Sequence, residues 1–579
     1  MASYPNAFGS NSIMSPEEQQ VVHECMQDFS ELQNVRSTFA AHWEEVAQIV
    51  LPHFRNTFMY GAWNTPGEKK TDKQVDATGM MALQRFGAIM DSLSTPRNQI
   101  WHLLGDEDDY VMKDRATRLW YESATKALFA HRYAPTANFA SQNQLVFQQI
   151  GAFGTGPMFV DAVEPKYGRG FRYRCLPLGE WYLKENHQGI INGGIRWFRL
   201  TAEQTQSMWP IGEYGPLPET IRNALETKSQ TQFDFLHRIV ERVSYDKERL
   251  DAKGKQWASY YICIQAQCLM QPEGGYRTFP VPTSRYDQAP GESYGRGPAM
   301  FVLPSLKTLN AQKVTQLTVG HRAAAPVYLT SDDGLVDFSF RPLALNKGGI
   351  SPEGRPLVQP LLPGDPRITQ EMMDQEKQLI ADAFLVSLFQ ILTETPQMSA
   401  TEVIERVNEK GILVAPTAGR QQSDYLGPLI HRELDMAADM NLLPPLPPRL
   451  AEAARARGGI AYKVKYTSPL ARAAQAQEAA GFYRTVEGVK ELVNITQDAS
   501  LLDVFNFDKA SRGIAMIQGV NESWLADDEE MKAKREQRKE AEQQRMQIQA
   551  APAAAALMKA KAVAAKAGQP VAGQEGQQQ

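Results

Sequence analysis

The sequence predicts an α+β chain, mainly helical with a β-rich middle, on three observations. Helical periodicity holds from Ser15 to about Gly156, short aromatic and β-branched runs replace it from Phe159 to about Phe279, and two long helical repeats follow Pro304. At roughly 100–200 residues per domain, 579 residues make three or four domains or one large composite. Hydrophobic residues at 43% and charged residues at 22% are ordinary for a globular chain and exclude global disorder or a disulfide scaffold. A net charge of -5 argues against a surface that grips nucleic acid throughout by counterion release, so any DNA contact is local or weak.

The first helix opens at Ser15-Pro16-Glu17-Glu18, with an N-cap, a proline at the first helical position and an acid at the third. Val22, Cys25, Met26, Phe29 and Leu32 follow at helical spacing. In the middle region Phe171–Leu176, Trp181–Leu183, Ile195–Leu200 and Tyr260–Cys268 read as strands, separated by turns at Gly189, Gly193-Gly194 and Glu273-Gly-Gly275. Residues 280–298, rich in Pro, Gly and Ser, read as an extended connection.

A helix predicted over 304–325 ends before Pro326. Val302, Leu303, Leu306, Leu309, Val314 and Leu317 fall on one face, with Ser305, Thr308, Gln312, Thr315 and Gln316 opposite. A polar face almost without charge suits packing against another subunit or lining something that must not stick; an ordinary core helix is the alternative. The second helix runs from Thr369, a good N-cap, to Leu392, with Glu371, Asp374 and Glu376 near its positive end and Met372, Met373, Leu379, Ile380, Ala383 and Phe384 as its apolar positions. Between the two helices, 327–330, 343–345 and 357–358 are strand candidates, giving a stalk with a knob.

Thr393–Met398 is a short loop, and Ser399-x-x-Glu402 is a capping box for a further helix that Gly411 and Pro416 kink or interrupt. A helical stretch over 418–440, a Pro-rich linker over 442–450 and Ala-rich helices to about Ala526 come next. From Asp527 to Arg545 seven acids face six bases, with Asp528/Lys532 and Glu530/Lys534 at i,i+4, which reads as a solvated helix. The Ala-, Lys- and Gln-rich remainder to residue 579 reads as a disordered tail.

No catalytic, cofactor or metal constellation emerges. Gly291-Glu-Ser293-Tyr-Gly295 matches a nucleophile elbow by letters, but the polar 283–290 stretch before it is not the required apolar strand. A serine hydrolase built on Ser293 therefore stays only as an alternative. Gly151-Ala-Phe-Gly154-Thr-Gly156 reads as a turn into a strand rather than a dinucleotide fingerprint, and Gly254-Lys255-Gln256 is no P-loop. Asp106–Asp109 lacks the EF-hand spacing and reads as a solvated loop. The scattered Cys25, Cys175, Cys263 and Cys268 form no disulfide framework or zinc site. Neither a signal peptide nor an apolar run of 18 residues is visible, so no membrane span is expected.

Six strings in order, Phe171–Tyr182, Leu200–Gln204, Ser293–Met300 with Leu306–Asn310, Met398–Val403, Leu426–Ile430 and Tyr466–Arg472, resemble the head-to-tail connecting (portal) proteins of short-tailed bacteriophages. The resemblance covers about 15–507. It implies a ring of twelve subunits at one capsid vertex, around a channel for packaging and ejection of double-stranded DNA, assembled in the host cytoplasm. Implied partners are the terminase packaging motor, capsid and scaffolding proteins, and tail adaptor proteins; a non-viral oligomeric scaffold is a further alternative. The implied architecture is a wing at 1–297, stem helices at 298–325 and 369–391, a clip at 326–368, a tunnel loop at 392–398, a long wing helix at 399–441 in which Pro416 marks a kink, a crown at 442–526, and a tail at 527–579 that the resemblance does not reach.

Moving DNA of any sequence needs no base readout, and strong phosphate contacts would stall it. The second stem helix has Glu371, Asp374, Glu376 and Asp382 against Lys377, and the first has only Lys307, Lys313 and Arg322 as bases. The expectation is a neutral or repulsive wall with these three residues as sparse basic rungs, and Thr393, Glu394, Thr395, Pro396, Gln397 and Met398 as the channel's narrowest loop.

Overall fold

The computed structural model describes residues 15–59, 67–164, 166, 168–228, 230–246, 249–330, 339, 341, 344–345, 349–361, 366–386, 416–417, 419–468, 485–490, 505–517, 524, 526, 530–545 and 558–559. The expected loop 393–398 and the Ser399 capping box lie outside them, as do most of the Pro416 helix's early residues.

Helix α1 (Pro16–Val50) forms as its sequence predicts: Ser15 Oγ accepts from Glu18 N at 3.2 Å, and Ser15 N donates to the Glu18 carboxylate at 2.9 Å. At 1.5 Å per residue it is about 52 Å long and serves two cores. Its first half buries Val22, Cys25 and Phe29, and its second half buries Trp43, Val46, Ala47 and Val50. Helix α2 (Thr78–Ser94), strand β1 (His102–Gly105), α3 (Arg115–Arg132) and α4 (Phe139–Phe153) complete the N-terminal part. In the acidic 106–109 segment Glu107, Asp108 and Asp109 are exposed as expected, but Asp106 is buried, bonded to Tyr121 Oη at 3.0 Å and Arg457 Nη1 at 2.8 Å, which anchors the turn.

The β-rich middle contains β2 (Thr155–Ala162), β3 (Phe171–Cys175), β4 (Trp181–Glu185), β5 (Ile191–Thr201), helices α5 (Ala202–Met208), α6 (Ile211–Tyr214) and α7 (Glu219–Glu226), then β6 (Gln232–Glu241), β7 (Trp257–Cys263), β8 (Cys268–Leu269), β9 (Gly274–Tyr276) and β10 (Thr283–Arg285). One sheet runs β4-β5-β6-β7-β8 with β9 also on β7; a second runs β10-β2-β3. Alternation sorts the large sheet's residues. Ile195, Trp197, Leu236 and Ile262 meet α1, while Phe198, Phe235 and Cys263 share the other core with Trp209 and Ile221.

Three expectations change here. The run Tyr260–Cys268 is two strands with a turn between, where Gln267 adopts φ 45°. Gly274-Gly275 lies in a strand, and the 280–298 connection contributes β10 to a sheet. The central strand β6 and helices α5–α7 have no counterpart in the sequence reading, because Asp234, His237 and Arg238 dilute the apolar run of β6.

Past α8 (Pro298–Phe301), α9 (Leu303–Ala324) matches the predicted helix to within a residue. Strands β11 (Tyr328–Thr330) and β12 (Val358–Pro360) pair antiparallel, and α10 (Pro366–Ala383) returns. Helix α10 begins three residues before the expected cap at Thr369, since Pro366 supplies a helix-ready first turn. The chain turns at 384–385, where Leu385 has φ 58°, so the helix does not run unbroken to Leu392.

A π turn (Gln422–Leu426) leads into α11 (Gly427–Asp439), followed by α12 (Pro448–Arg457), β13 (Lys463–Tyr466) and α13 (Phe507–Ile517). Strand β13 pairs with β1, joining distant parts of the chain across segments expected to be helical; four residues are too few for alternation to register in sequence. The charged segment forms an exposed helix over 530–545, with Arg115 donating to Glu530 at 2.9 Å.

The deepest polar feature welds α3, β1, β3 and α11. Arg132 and Glu433 are fully buried and form a two-pronged ion pair, Tyr173 Oη donates to Glu433 Oε1 at 2.6 Å, and Arg132 lies 2.9 Å from His102 Nε2. The Arg132 guanidinium also stacks 4.5 Å from the Trp101 ring. Burial, then the Arg132 charge, drives the His102 pKa well down and keeps the imidazole neutral.

Candidate functional site

Helices α9 and α10 pack as a pair, and burial falls along α9 while α10 has one covered and one open apolar face. Leu303, Leu306 and Leu309 at the start of α9 are buried, as are Met373, Ile380 and Phe384 on and after α10. Farther out on α9, Val314 and Leu317 are 47% and 46% exposed, and on α10 Met372 and Leu379, adjacent to the buried Met373 and Ile380 but turned to another face, are both 50% exposed. Val327 and Leu329 near the tip are more than half exposed as well. The single apolar face expected for α9 is therefore covered in its first part and open beyond. Two acceptors on the pair, Gln312 Oε1 and Glu376 Oε2, are shielded from solvent yet receive no hydrogen bond from any described residue.

The root of the pair is fastened in three ways. First, the two glycine motifs singled out in sequence meet there. Gly154 has φ +76° and packs on the backbone of Gly295 and Arg296, while Gly297 lies against the carbonyls of Ile150 and Gly151. A Cβ at these positions would overlap backbone atoms, so close approach explains the glycines. Second, Asn310 Oδ1 accepts from Val75 N and Asp76 N at 2.8 and 3.1 Å, and its Nδ2 donates to Lys73 O at 3.1 Å. Third, Lys307 Nζ donates to Glu45 of α1 at 2.7 Å and, through that bond, holds the Glu45 carboxyl below its usual pKa.

Ser293 belongs to this root. Its carbonyl accepts from Arg285, and the neighbouring Tyr294 is buried with its Oη accepting from Leu183 N at 3.3 Å. No strand leads directly into Ser293, so the elbow geometry of a hydrolase is not what surrounds it. Arg285 itself bridges Glu185 and Asp424, with Nε donating to Asp424 at 3.1 Å.

The three candidate basic residues are not brought together. Lys307 is paired with Glu45, Lys313 donates to Gln316 at 3.1 Å, and Arg322 stands exposed in the last turn. At 100° per residue, Lys313 and Arg322 lie about 240° and 60° around the axis from Lys307, so they form no single row. On α10, Glu371, Asp374 and Asp382 are exposed, and Lys377 pairs with Asp374 at 3.2 Å. Asn310 and the Arg132–Glu433 lock escaped the sequence reading, for their partners are hundreds of residues away. Among the described residues no group of acids, histidines and cysteines is arranged to hold a metal, and no helix is long and apolar enough to cross a membrane.

Comparison with known proteins finds relatives over most of the chain. The "Probable portal protein" of Bordetella phage BPP-1 is 26% identical over 534 residues, covering 88% of this chain and 90% of that protein. The "Portal protein" of Salmonella phage epsilon15 is 23% identical over 526 residues, covering 89% and 90%. A chain of the solved virion of a native gene transfer agent particle aligns with 13% identity and a TM-score of 0.31, over 72% of this chain and 86% of that one. The family described as bacteriophage head to tail connecting protein matches residues 22–525, and the chain belongs to that family.

Proposed function

We propose that this protein is a portal subunit: copies associate in a ring at one capsid vertex, and the ring is the channel through which double-stranded DNA enters and leaves the head. The observation that carries the reading is the half-open α9–α10 pair. Four half-exposed apolar side chains and two shielded acceptors without a partner among the described residues lie on a helix pair whose root is firmly fastened, and a neighbouring copy of the same pair is the natural cover. In this reading residues 1–297 and 399–441 form the wing, α9 and α10 the stem, 326–368 the clip and 442–526 the crown. Residues 393–398 form the loop nearest the DNA. The protein acts structurally, without chemistry of its own, in the virion at the head–tail junction. It docks the packaging motor, tail adaptor, capsid and scaffolding proteins after assembly in the host cytoplasm.

Basic contacts to DNA are sparse. Since Lys307 is neutralised by Glu45 and the three bases occupy different faces, they act as separate weak contacts rather than a ladder. The test of the ring is electron microscopy of the purified protein. A ring of about twelve subunits with an axial hole is expected; a monodisperse monomer overturns it. Changing Lys307, Lys313 and Arg322 together to Glu should reduce DNA packaging, and normally filled heads would remove these residues from the mechanism. Deleting 393–398 should spare rings and shorten or release the packaged genome.

A further inference from the structure

Away from the helix pair, a cavity of ≈ 360 Å³ opens where β3, the 177–180 segment after it and β5 approach Thr57. Three guanidinium groups line it, Arg174 of β3 and Arg196 and Arg199 of β5, with Glu180 beside them. Two have carboxylate partners. Arg196 donates through Nε and Nη2 to Glu180 Oε2 at 3.0 and 2.8 Å, and Arg199 donates through Nε to Asp234 at 2.7 Å. Arg174 makes no side-chain hydrogen bond or ion pair with any described residue. Arg174 is exposed to solvent at the cavity, within reach of the like charge of Arg196 and the opposite charge of Glu180.

Arg196 and Arg199 are thus each matched by a carboxylate, and Arg174, exposed to solvent, is the lining cation without a described carboxylate partner. Arg196 is only 8% exposed and stacks 4.6 Å over Phe198, and its two bonds to Glu180 leave Nη1 without a described partner. Trp197, Phe198, Leu200 and Met208 supply the apolar part of the wall. The volume is more than ten times the ~30 Å³ share of a water molecule. It falls at the small end of the roughly 300–1,000 Å³ typical of small-molecule sites.

We propose that this cavity binds a phosphate group, held by Arg174 and Arg196 Nη1, with any organic body it carries lying against Phe198, Leu200 and Met208. Guanidinium forks match the paired oxygens of such an anion, and its charge balances that of Arg174. Free phosphate and a small phosphate monoester present the same oxygens, and titration separates them.

The experiment is isothermal titration of the full chain at constant ionic strength with inorganic phosphate, a deoxynucleoside 5′-monophosphate and the same nucleoside without phosphate. Phosphate-bearing ligands should bind and the bare nucleoside should not. Tighter binding of the monophosphate assigns an ester, and equal affinities assign free phosphate. Arg174→Gln should weaken binding at least about tenfold, the loss typical of a hydrogen bond to a charged group. Arg174→Lys should fall between, keeping charge without the fork. If Arg174→Gln melts early, Met208→Glu decides, because its carboxylate occupies the site and should abolish binding. Absence of binding by both small phosphates, unchanged affinity in the folded Arg174→Gln protein, or unchanged affinity in Met208→Glu overturns the proposal.

Discussion

The sheet-bearing body and the α9–α10 pair are built from similar residues placed in opposite surroundings. In the body, Trp43, Trp101 and Trp181 are completely buried, and even an arginine and a glutamate are taken out of water as a pair. In the helix pair, Val314, Leu317, Met372 and Leu379 remain about half exposed although their spacing is that of a core-facing stripe. A stripe at helical spacing therefore shows that a face is meant to be covered, but not whether the same chain covers it. The body covers its own apolar residues, whereas the open part of the helix pair is the part that the proposed ring would cover with another copy.

The contrast can be broken at its strongest point by Glu433→Gln. Arg132 would keep its charge with no carboxylate in a fully buried site, and a loss of about 3–5 kcal/mol is expected. Denaturant unfolding measures it, and a loss under 1 kcal/mol would mean that the lock contributes little.

Acid should weaken the body next. Burial, then Arg196, lowers the His237 pKa to about 3, and His102 shifts in the same direction. A histidine neutral in the folded state and protonated when unfolded contributes stability that is fully present above about pH 6.5. That stability is lost as pH falls toward 3, at about 1.4 kcal/mol per pH unit for each such group. His237→Gln, which can retain a bond to Ser259, should flatten part of this slope in unfolding measured from pH 7 to pH 4. An identical slope in the variant would place the acid sensitivity elsewhere.

Asn310→Ala probes the seam between the two regions. It leaves the amides of Val75 and Asp76 without their acceptor, with an expected loss of about 1 kcal/mol in thermal unfolding because water can replace part of the bond. Equal melting would show that the clamp is incidental. The smallest change in stability belongs to the outer helix. Val314→Ser with Leu317→Ser should alter unfolding of the isolated subunit by no more than about 0.5 kcal/mol, as exposed substitutions do, while ring formation in sedimentation is lost. Rings that survive the double change would mean that the open stripe is not an interface.

Much of this division is legible in sequence where the cause is local. The Ser15 capping box, the span of α9 and the aromatic runs of β3, β4 and β5 depend on neighbours within a few residues, and they form close to where they are read. Strand β6 carries no such local mark because its polar residues are satisfied at a distance, Asp234 by Arg199 across the sheet and Arg238 by Asp28 of α1. The start of α10 shifted because Pro366 opens a helix as readily as Thr369 caps one.

What the sequence alone determined is the chain's order of helix, sheet, long helix, small β module and returning helix, and the family resemblance carried on that order. Those follow from periodicity and capping, which act over one or two turns. Tertiary structure decided what joins β1 to β13, why Gly154 must meet Gly295, which charges are cancelled and which arginine is left over. Each of these is a pairing between residues more than 40 positions apart or a question of which groups lose water, and neither distance nor desolvation is written in local spacing.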